Sequence, residues 1–369
     1  MEKSDIPVAF VFMRTKVRNV FLFFIKEHFE MKKMTKKIVA LIISCVMLAA
    51  VCMGCGAKPE ESVSANESFV TRVGSLKGPT TMGLANMISD EQADTDSAYS
   101  FTMETQADVI SGMIVQGELD IALVPANVAA ILYQKTEGGI KVIDINTLGV
   151  LYLVSGDSNV SSVSDLEGRT IYLTGKGTSP DLVLQYVLAG NGLTTDDVTL
   201  EYKSEATEVA AVLAENPDAI GLLPQPFVTA ACIQNESLSV IMDMTKEWES
   251  CSSDGSSLVT GVTIATNDYI VNHPDELIAF MEAQKESAGK ANDDVEGTAE
   301  IIASLGIVEK APVAAKALPA CNIVYIDEME MKMALEGYLN ALYELDPSSV
   351  GGALPTDDFY YTEFKYYEF

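Results

Sequence analysis

Apolar and polar positions follow a repeating order over most of the chain. Short runs of β-branched and aliphatic residues are followed by a turn rich in Gly or Pro, and then by a stretch with helical spacing. The first unit predicts a strand over residues 69–76, a loop over 77–81 and a helix over 82–89. Strands that alternate with helices in this way predict an α/β fold with mostly parallel sheets flanked by helices.

The same pattern predicts the elements of the rest of the chain. Further strands are expected at residues 99–103, 119–124, 169–174, 219–223, 237–243 and 258–266. Further helices are expected at residues 107–116, 128–134, 181–189, 227–234, 274–288, 296–304, 312–318 and 327–345. Ser179 is the expected N-cap and Pro180 the expected first residue of the helix at 181–189. Beyond residue 266 the pattern predicts helices only.

A constant offset of 99 residues relates two parts of this pattern. It pairs Lys77 with Lys176, Gly78 with Gly177, Thr80 with Ser179, and Pro125 with Pro224. Each pair occupies the same place in a strand, loop and helix unit, which predicts two similar lobes, although α/β segments can also share such a pattern without common ancestry.

The order of elements predicts a two-lobed protein with two hinge crossings. Residues 69–155 and 258–369 form the expected first lobe, and residues 156–257 form the second, with hinges near Ser155 and Val259. Residues 359–369 carry seven aromatic side chains, which are expected to pack against the first lobe.

The N-terminal segment has the order of an export signal. Four lysines precede an apolar run that ends in small residues beside Cys55, so residues 31–54 predict a signal peptide. Residues 52–55 resemble a bacterial lipobox, with Gly54 in the expected place and Cys52 and Met53 departing from the usual types. We therefore expect lipidation of Cys55, a flexible tether over 55–68 and anchoring to the outer face of the cell membrane. An ordinary secretion signal and a membrane-anchoring helix are the alternatives.

Residues 1–30 precede this signal and indicate either a mis-set start codon or an extra N-terminal extension.

Charge excludes one class of partner. The chain has a net charge of −29, and residues 55–369 carry −34 because residues 1–54 are basic. A nucleic-acid phosphate backbone requires a dense Lys and Arg surface, so no nucleic-acid partner is expected.

Candidate catalytic chemistry is sparse. His273 precedes Pro274 at an expected helix start, where a surface cap explains it, and the chain has neither a nucleophile-elbow motif nor a complete phosphate-binding loop. Cys232, Cys251 and Cys321 lack metal-ligand spacing, and because they are odd in number they can form at most one disulfide. No enzyme activity, metal or cofactor is expected.

The segment at residues 163–171, with the sequence VSDLEGRTI, and the Gly/Ser/Thr loop after it resemble ABC-importer substrate-binding proteins of the nitrate/sulfonate/taurine and thiamine-precursor group. That resemblance implies a two-lobed type II periplasmic-binding fold, a small polar or anionic ligand in the interlobe cleft, and delivery of that ligand to a permease driven by an ATPase. We expect the receptor to be a monomer. An enzyme on the same fold and a ligand-free surface lipoprotein or adhesin are the alternatives.

Two expected helix starts provide the candidate binding site, because hydroxyls and free N–H groups there favour an anion or a polar neutral molecule. The principal candidates are Thr80, Thr81, Thr178 and Ser179. The remaining candidates in these and neighbouring loops are Lys77, Gly78, Asn127, Lys176, Gly177 and Gln225. The lysines could instead be solvated rim residues, and Asn127 and Gln225 could be helix caps.

Overall fold

A computed structural model describes residues 69–252 and 256–362 of the chain. In chain order the strands are β1 (Thr71–Leu76), β2 (Tyr99–Glu104), β3 (Ile121–Pro125), β4 (Ile140–Leu148), β5 (Leu151–Ser155), β6 (Thr170–Thr174), β7 (Thr199–Lys203), β8 (Ile220–Pro224), β9 (Ser239–Asp243), β10 (Val259–Thr266) and β11 (Ile323–Ile326).

The helices lie between these strands and, towards the C-terminus, follow one another. They are α1 (Pro79–Met82), α2 (Ala85–Ala93), α3 (Ala107–Val115), α4 (Ala126–Lys135), α5 (Ser179–Gly190), α6 (Ala206–Glu215), α7 (Phe227–Gln234), α8 (Met244–Cys251), α9 (Asn267–Asn272), α10 (Pro274–Asp293), α11 (Val295–Ser304), α12 (Ala311–Ala317) and α13 (Glu328–Leu345).

Two sheets form the framework, in the strand orders β11-β4-β10-β3-β1-β2 and β7-β6-β8-β5-β9. Strand β1 is parallel to β2 and β3, and β6 is parallel to β7 and β8, while the other pairs are antiparallel. The prediction of a two-lobed α/β fold with mostly parallel sheets is confirmed. In the first sheet β10 and β11 run against the other four strands, and in the second sheet β5 runs against the other four. Strands β5 and β10 each follow a crossing between the lobes, and each is antiparallel to both of its neighbours in the sheet that it enters.

The two sheets share one topology. The order β2-β1-β3-β10-β4 in the first corresponds to β7-β6-β8-β5-β9 in the second, with the same strand directions. Strands β3 and β8 both end in proline, at Pro125 and Pro224. The sixth strand, β11, belongs to the first sheet and has no counterpart among the described strands of the second.

The first crossing between the lobes lies at Gly149 and Val150. Strand β4 pairs with β10 in the first sheet, whereas β5 pairs with β8 and β9 in the second. Our assignment of residues 151–155 to the first lobe, with a hinge near Ser155, is therefore wrong for this strand. The reason is that only two residues separate β4 from β5, without a longer turn that would mark a change of sheet.

One hydrophobic core extends through both lobes. Trp248 of α8 is fully buried, stacks on Tyr186 of α5 with 3.8 Å between ring centroids, and lies 5.4 Å from the ring of Tyr338 of α13. Helix α8 was not predicted, because Met244 and Trp248 are the large apolar residues of a short and otherwise polar stretch. The two lobes are thus joined by packed aromatic rings as well as by the chain crossings.

The C-terminal segment packs on the first sheet as far as it is described. Phe359 is buried, and Tyr360 forms a bridge with Val142 of β4. Cys55, the export signal and the tether lie outside the described residues, as do residues 363–369. Among the helices that the structure describes, none is long and apolar enough to cross a membrane.

Candidate ligand-binding site

A pocket of about 310 Å³ lies between the two sheets, at the ends of β3 and β8. We call it the interlobe pocket. Its described lining residues are Pro125, Asn127, Val128, Val150, Leu151, Thr178, Ser179, Pro180, Val183, Pro224, Leu258, Thr260 and Tyr338. Both lobes and both crossing segments contribute to this wall, so a change in the angle between the lobes would change the pocket.

Polar groups cluster on one side of the pocket. Ser179 Oγ donates to Asn127 Oδ1 at 3.1 Å, and this hydrogen bond joins α5 of the second lobe to α4 of the first. Asn127 Nδ2 donates to the Ser349 carbonyl at 3.3 Å. Burial raises the pKa of the Tyr338 phenol to about 12, and a hydrogen bond with Ser179 partly opposes that rise. Ser179, Asn127 and Tyr338 therefore form a connected polar cluster that is uncharged at neutral pH.

The rest of the wall is largely apolar. Eight of the thirteen described lining residues are Pro, Val or Leu, and none of the thirteen has an ionisable side chain other than the Tyr338 phenol. Val183 and Leu258 are almost fully buried. Aliphatic walls with a few placed polar groups are typical of small-molecule sites.

The start of α5 differs from our prediction by one residue. Thr178 is the N-cap and Ser179 the first helical residue, so Pro180 is the second. Thr178 Oγ1 donates to the Gly175 carbonyl at 2.6 Å. Gly177 adopts a positive φ of 73°, a conformation that glycine enters without steric cost.

Asp181 occupies the N-terminus of α5 and was missed by the sequence analysis. Its carboxylate accepts from the Gly177 N–H at 2.8 Å, the Gln185 amide at 2.9 Å and the Tyr202 hydroxyl at 2.9 Å, and its side chain is buried. The spacing of Thr178 and Asp181 could have indicated this role, because an acidic residue three positions after a Thr N-cap is typical of a capping box. This helix N-terminus thus already holds a carboxylate of the protein.

The predicted lysines lie outside the pocket wall. Lys176 is exposed, and its Nζ lies 5.6 Å from the centroid of the Tyr202 ring. Lys77 is also exposed, and neither side chain lines the pocket.

The loop of the first lobe is buried rather than open to the cleft. Thr81 is fully buried, and its hydroxyl donates to Ser75 Oγ at 2.9 Å and to the Leu76 carbonyl. Thr80 donates to the same carbonyl at 2.9 Å and packs against Gly261. Neither threonine lines the pocket, and nor does Gly78, which precedes α1 with a φ of 143°.

Gln225 is also held inside the second lobe. Its Oε1 accepts from the Thr229 hydroxyl at 2.8 Å, and its backbone N–H donates to the Val150 carbonyl at 3.0 Å. Gln225 therefore fixes the end of β8 against the crossing segment without lining the pocket.

Among the ten predicted binding residues, the structure brings Asn127, Thr178 and Ser179 together at the pocket. The sequence analysis did not identify Tyr338, Thr260 or Val150. They come from helix α13, strand β10 and the first crossing segment rather than from the repeated loops.

Two other observations limit the choice of site. A larger groove of about 450 Å³ lies between α3 and α4 on the first lobe, and it contains none of the predicted site residues.

Within residues 69–252 and 256–362, no group of three or more His, Cys, Asp or Glu side chains could hold a metal ion.

Two lobes of equivalent topology with a pocket between them define the class of two-lobed periplasmic-binding folds of type II. Within this class, residues 113–296 match the family model described as NMT1/THI5 like, which confirms the resemblance seen in the sequence.

Solved structures of transport proteins have the same fold. An ABC transporter structure from Parabacteroides distasonis is 25% identical, with a TM-score of 0.68, and the match covers 80% of this chain and 99% of that one. The aliphatic sulphonate-binding protein SsuA of Escherichia coli is 20% identical, with a TM-score of 0.62, over 78% of this chain and 92% of its own.

Curated relatives match over a shorter region. Proteins of Brucella abortus and Brucella suis described as binding proteins are 31% identical over 91 residues, which is 25% of this chain. The match spans 28% of the length of those relatives.

Proposed function

We propose that this protein is an extracytoplasmic solute-binding receptor of an ABC importer, which captures a small molecule in the interlobe pocket and delivers it to a permease. The observation that carries the proposal is the pocket itself, because its wall is built from both lobes and both crossing segments. A site of this kind couples ligand binding to the angle between the lobes, which a permease can recognise.

The structural relatives support the transport assignment. The Parabacteroides distasonis structure is described as an ABC transporter, and it aligns over nearly its whole length. An enzyme is not favoured, since the polar groups at the pocket are a serine, an asparagine, two threonines and a buried tyrosine, without a base or a paired nucleophile among the described lining residues. A ligand-free adhesin would not need a pocket that two lobes share.

The proposed partners follow from this role. They are a small-molecule ligand, an ABC permease with its ATPase, and the membrane surface through a lipid on Cys55, with the receptor acting as a monomer. The motif around Cys55 supports export and anchoring to the outer face of the membrane.

A ligand screen followed by calorimetry tests the proposal. Small nutrients of several chemical classes are screened for an increase in the thermal midpoint of the purified protein, because a ligand that binds the folded state stabilises it. We expect one class to bind with one site per chain.

A matched pair of variants then locates the site. Ser179→Ala should weaken binding of the ligand from the screen by about 1 to 3 kcal/mol, because the polar cluster loses its central hydroxyl. Ser164→Ala removes an exposed hydroxyl of the second lobe and should leave affinity unchanged. Failure of every class to bind, or equal affinities for both variants, would contradict the proposal.

A further inference from the structure

The wall of the interlobe pocket is mostly apolar, and its described residues include no cationic side chain, although a structural relative binds sulphonates. We propose that it takes an uncharged molecule with an apolar body and one polar end, and that it discriminates against anions of the same shape. This inference rests on the proposed function, because it specifies the ligand class of the same site.

The apolar body of the ligand would lie against the aliphatic wall. Val150, Val183 and Leu258 are each at most a few per cent exposed, and the prolines that end β3 and β8 add further apolar surface. Each square ångström of apolar ligand surface removed from water contributes roughly 25 cal/mol, whereas a charged group placed there gains no partner.

The polar end would meet Ser179, Asn127 and Tyr338. These side chains supply two hydroxyls and one amide, which can donate to and accept from a neutral amide, hydroxyl or ring nitrogen. Ser179 and Asn127 now bond each other at 3.1 Å. A ligand that offers both a donor and an acceptor can exchange for that bond without leaving a buried group unpaired.

An anion would meet no compensating charge in this place. The described lining residues include neither Arg, Lys nor His. The dipole of α5, which would otherwise favour an anion, is already engaged by the buried carboxylate of Asp181. Lys176 lies over Tyr202 instead of over the pocket. The free energy needed to desolvate an unpaired anion here would therefore exceed the free energy gained from its contacts with the wall.

Matched ligand pairs test the inference. Benzenesulfonamide is compared with benzenesulfonate, and alkanamides of four to eight carbons with the corresponding alkanoates, by thermal shift and calorimetry at pH 7.5. The two members of each pair have nearly the same shape but differ in charge. We expect the neutral member of the best pair to bind at least about ten-fold more tightly than its anion.

A pair of variants at the pocket wall provides the second arm. Val128 is half-buried and lines the pocket from α4. Val128→Arg adds a cation there and should reverse the preference towards benzenesulfonate, while Val128→Met adds bulk without charge and should keep the neutral preference.

The outcomes separate the two proposals. An anion that binds the wild-type protein as tightly as its neutral partner, with loss of binding in Ser179→Ala, would overturn the uncharged-ligand inference and leave the receptor assignment standing. If no member of any pair binds but the ligand screen finds an anion whose affinity falls in Ser179→Ala, the inference is likewise overturned and the receptor assignment stands. If neither these pairs nor any class in the screen shifts the midpoint, the receptor assignment fails as well.

Discussion

Asp144 is a buried carboxyl in the middle of the first lobe. Its Oδ1 accepts from Thr263 Oγ1 at 2.9 Å and from Gln284 Nε2 at 3.0 Å, whereas its Oδ2 has no partner among the described residues. Gln284 Oε1 is likewise unpartnered there. Burial raises the pKa of Asp144 to about 8, and the two hydrogen bonds oppose that rise. The folded protein therefore holds this carboxyl protonated at neutral pH.

This pKa predicts a stability that falls with pH. In the unfolded chain the carboxyl has its ordinary pKa of 3.8, so between about pH 4 and pH 8 the folded state binds the extra proton. The free energy of unfolding then decreases by up to about 1.4 kcal/mol per pH unit across this window, and the loss ends above pH 8. Asp144→Asn should remove this contribution.

Thermal midpoints between pH 5 and pH 8 provide the measurement. We expect a flatter profile for Asp144→Asn than for the wild-type protein, and an unchanged slope for Asp196→Asn, which alters an exposed carboxylate. A variant at Asp144 that keeps the wild-type slope would show that this carboxyl is ionised in the folded state.

Thr81 provides the second prediction for a single residue. Its hydroxyl is fully buried and bonded to Ser75, so Thr81→Ala should lower the free energy of unfolding by about 1 to 3 kcal/mol without weakening ligand binding. Thr81→Ser keeps the hydroxyl and should restore part of the loss. Chemical denaturation and calorimetry measure the two effects separately, and a loss of affinity with unchanged stability would place Thr81 at the ligand.

At the scale of the element, the start of α5 depends on Asp181. Removing this carboxylate in Asp181→Ala leaves the Gly177 N–H and the Tyr202 hydroxyl without their acceptor in the second lobe. We expect a loss of about 1 to 3 kcal/mol in the free energy of unfolding. Asp165→Ala, which removes an exposed capping carboxylate from a short helical turn, should cost less. Equal losses in urea denaturation would contradict a special role for Asp181.

The pattern of apolar positions predicted most elements because each is bounded by a turn. Among the elements that it missed, some have no turn at their boundary and others are short. Strands β4 and β5 are separated by Gly149 and Val150 alone, so the pattern could not show that the chain changes sheets there. Strand β11 has four residues and lies in a region that reads as helical. Hydrogen bonds to strands that are distant in the sequence determine which sheet β5 joins and whether residues 323–326 form a strand, and the sequence pattern does not show these bonds.

Only three of the ten predicted binding residues line the pocket, for a related reason. The loops at Thr80 and Ser179 match in sequence, but α1 of the first lobe is covered by the segment leading into β11. Cys321 Sγ lies 3.7 Å from Met82 Sδ, and Ile323 packs against Gly83. The second sheet has no sixth strand among its described residues, so no such strand covers the loop before α5, and Thr178 and Ser179 line the pocket. The same hydroxyl pattern is therefore structural in one lobe and part of the pocket wall in the other.

At the scale of the whole molecule, two hydrogen bonds join the lobes. Ser179 bonds Asn127 at the pocket, and the Tyr152 hydroxyl donates to the Ala320 carbonyl at 2.9 Å. We expect motion to pivot at Gly149 and Val150 and at the segment before β10. Small-angle scattering should show a smaller radius of gyration when a proven ligand is added. One unchanged shape with bound ligand would contradict the hinge.

Membrane anchoring is a second prediction for the whole molecule. The lipobox-like motif predicts that Cys55 carries the lipid, so Cys55→Ser should abolish lipid labelling and leave a protein that is either uncleaved or shed. Cys52→Ser is the matched control and should remain anchored. Lipid-labelled protein from the Cys55 variant would show that the anchor lies elsewhere.

The cluster of the Tyr186, Trp248 and Tyr338 rings gives this receptor a spectroscopic property. Trp248 is the single tryptophan of the chain, and the centroid of its ring lies 5.4 Å from that of Tyr338, which lines the pocket. Its indole N–H donates to Ser256, next to the crossing that leads into β10. Intrinsic fluorescence excited at the indole thus originates from one position, between the ligand and the hinge. An unlabelled protein can consequently report both the occupancy of its pocket and the speed of its closure in a stopped-flow cuvette.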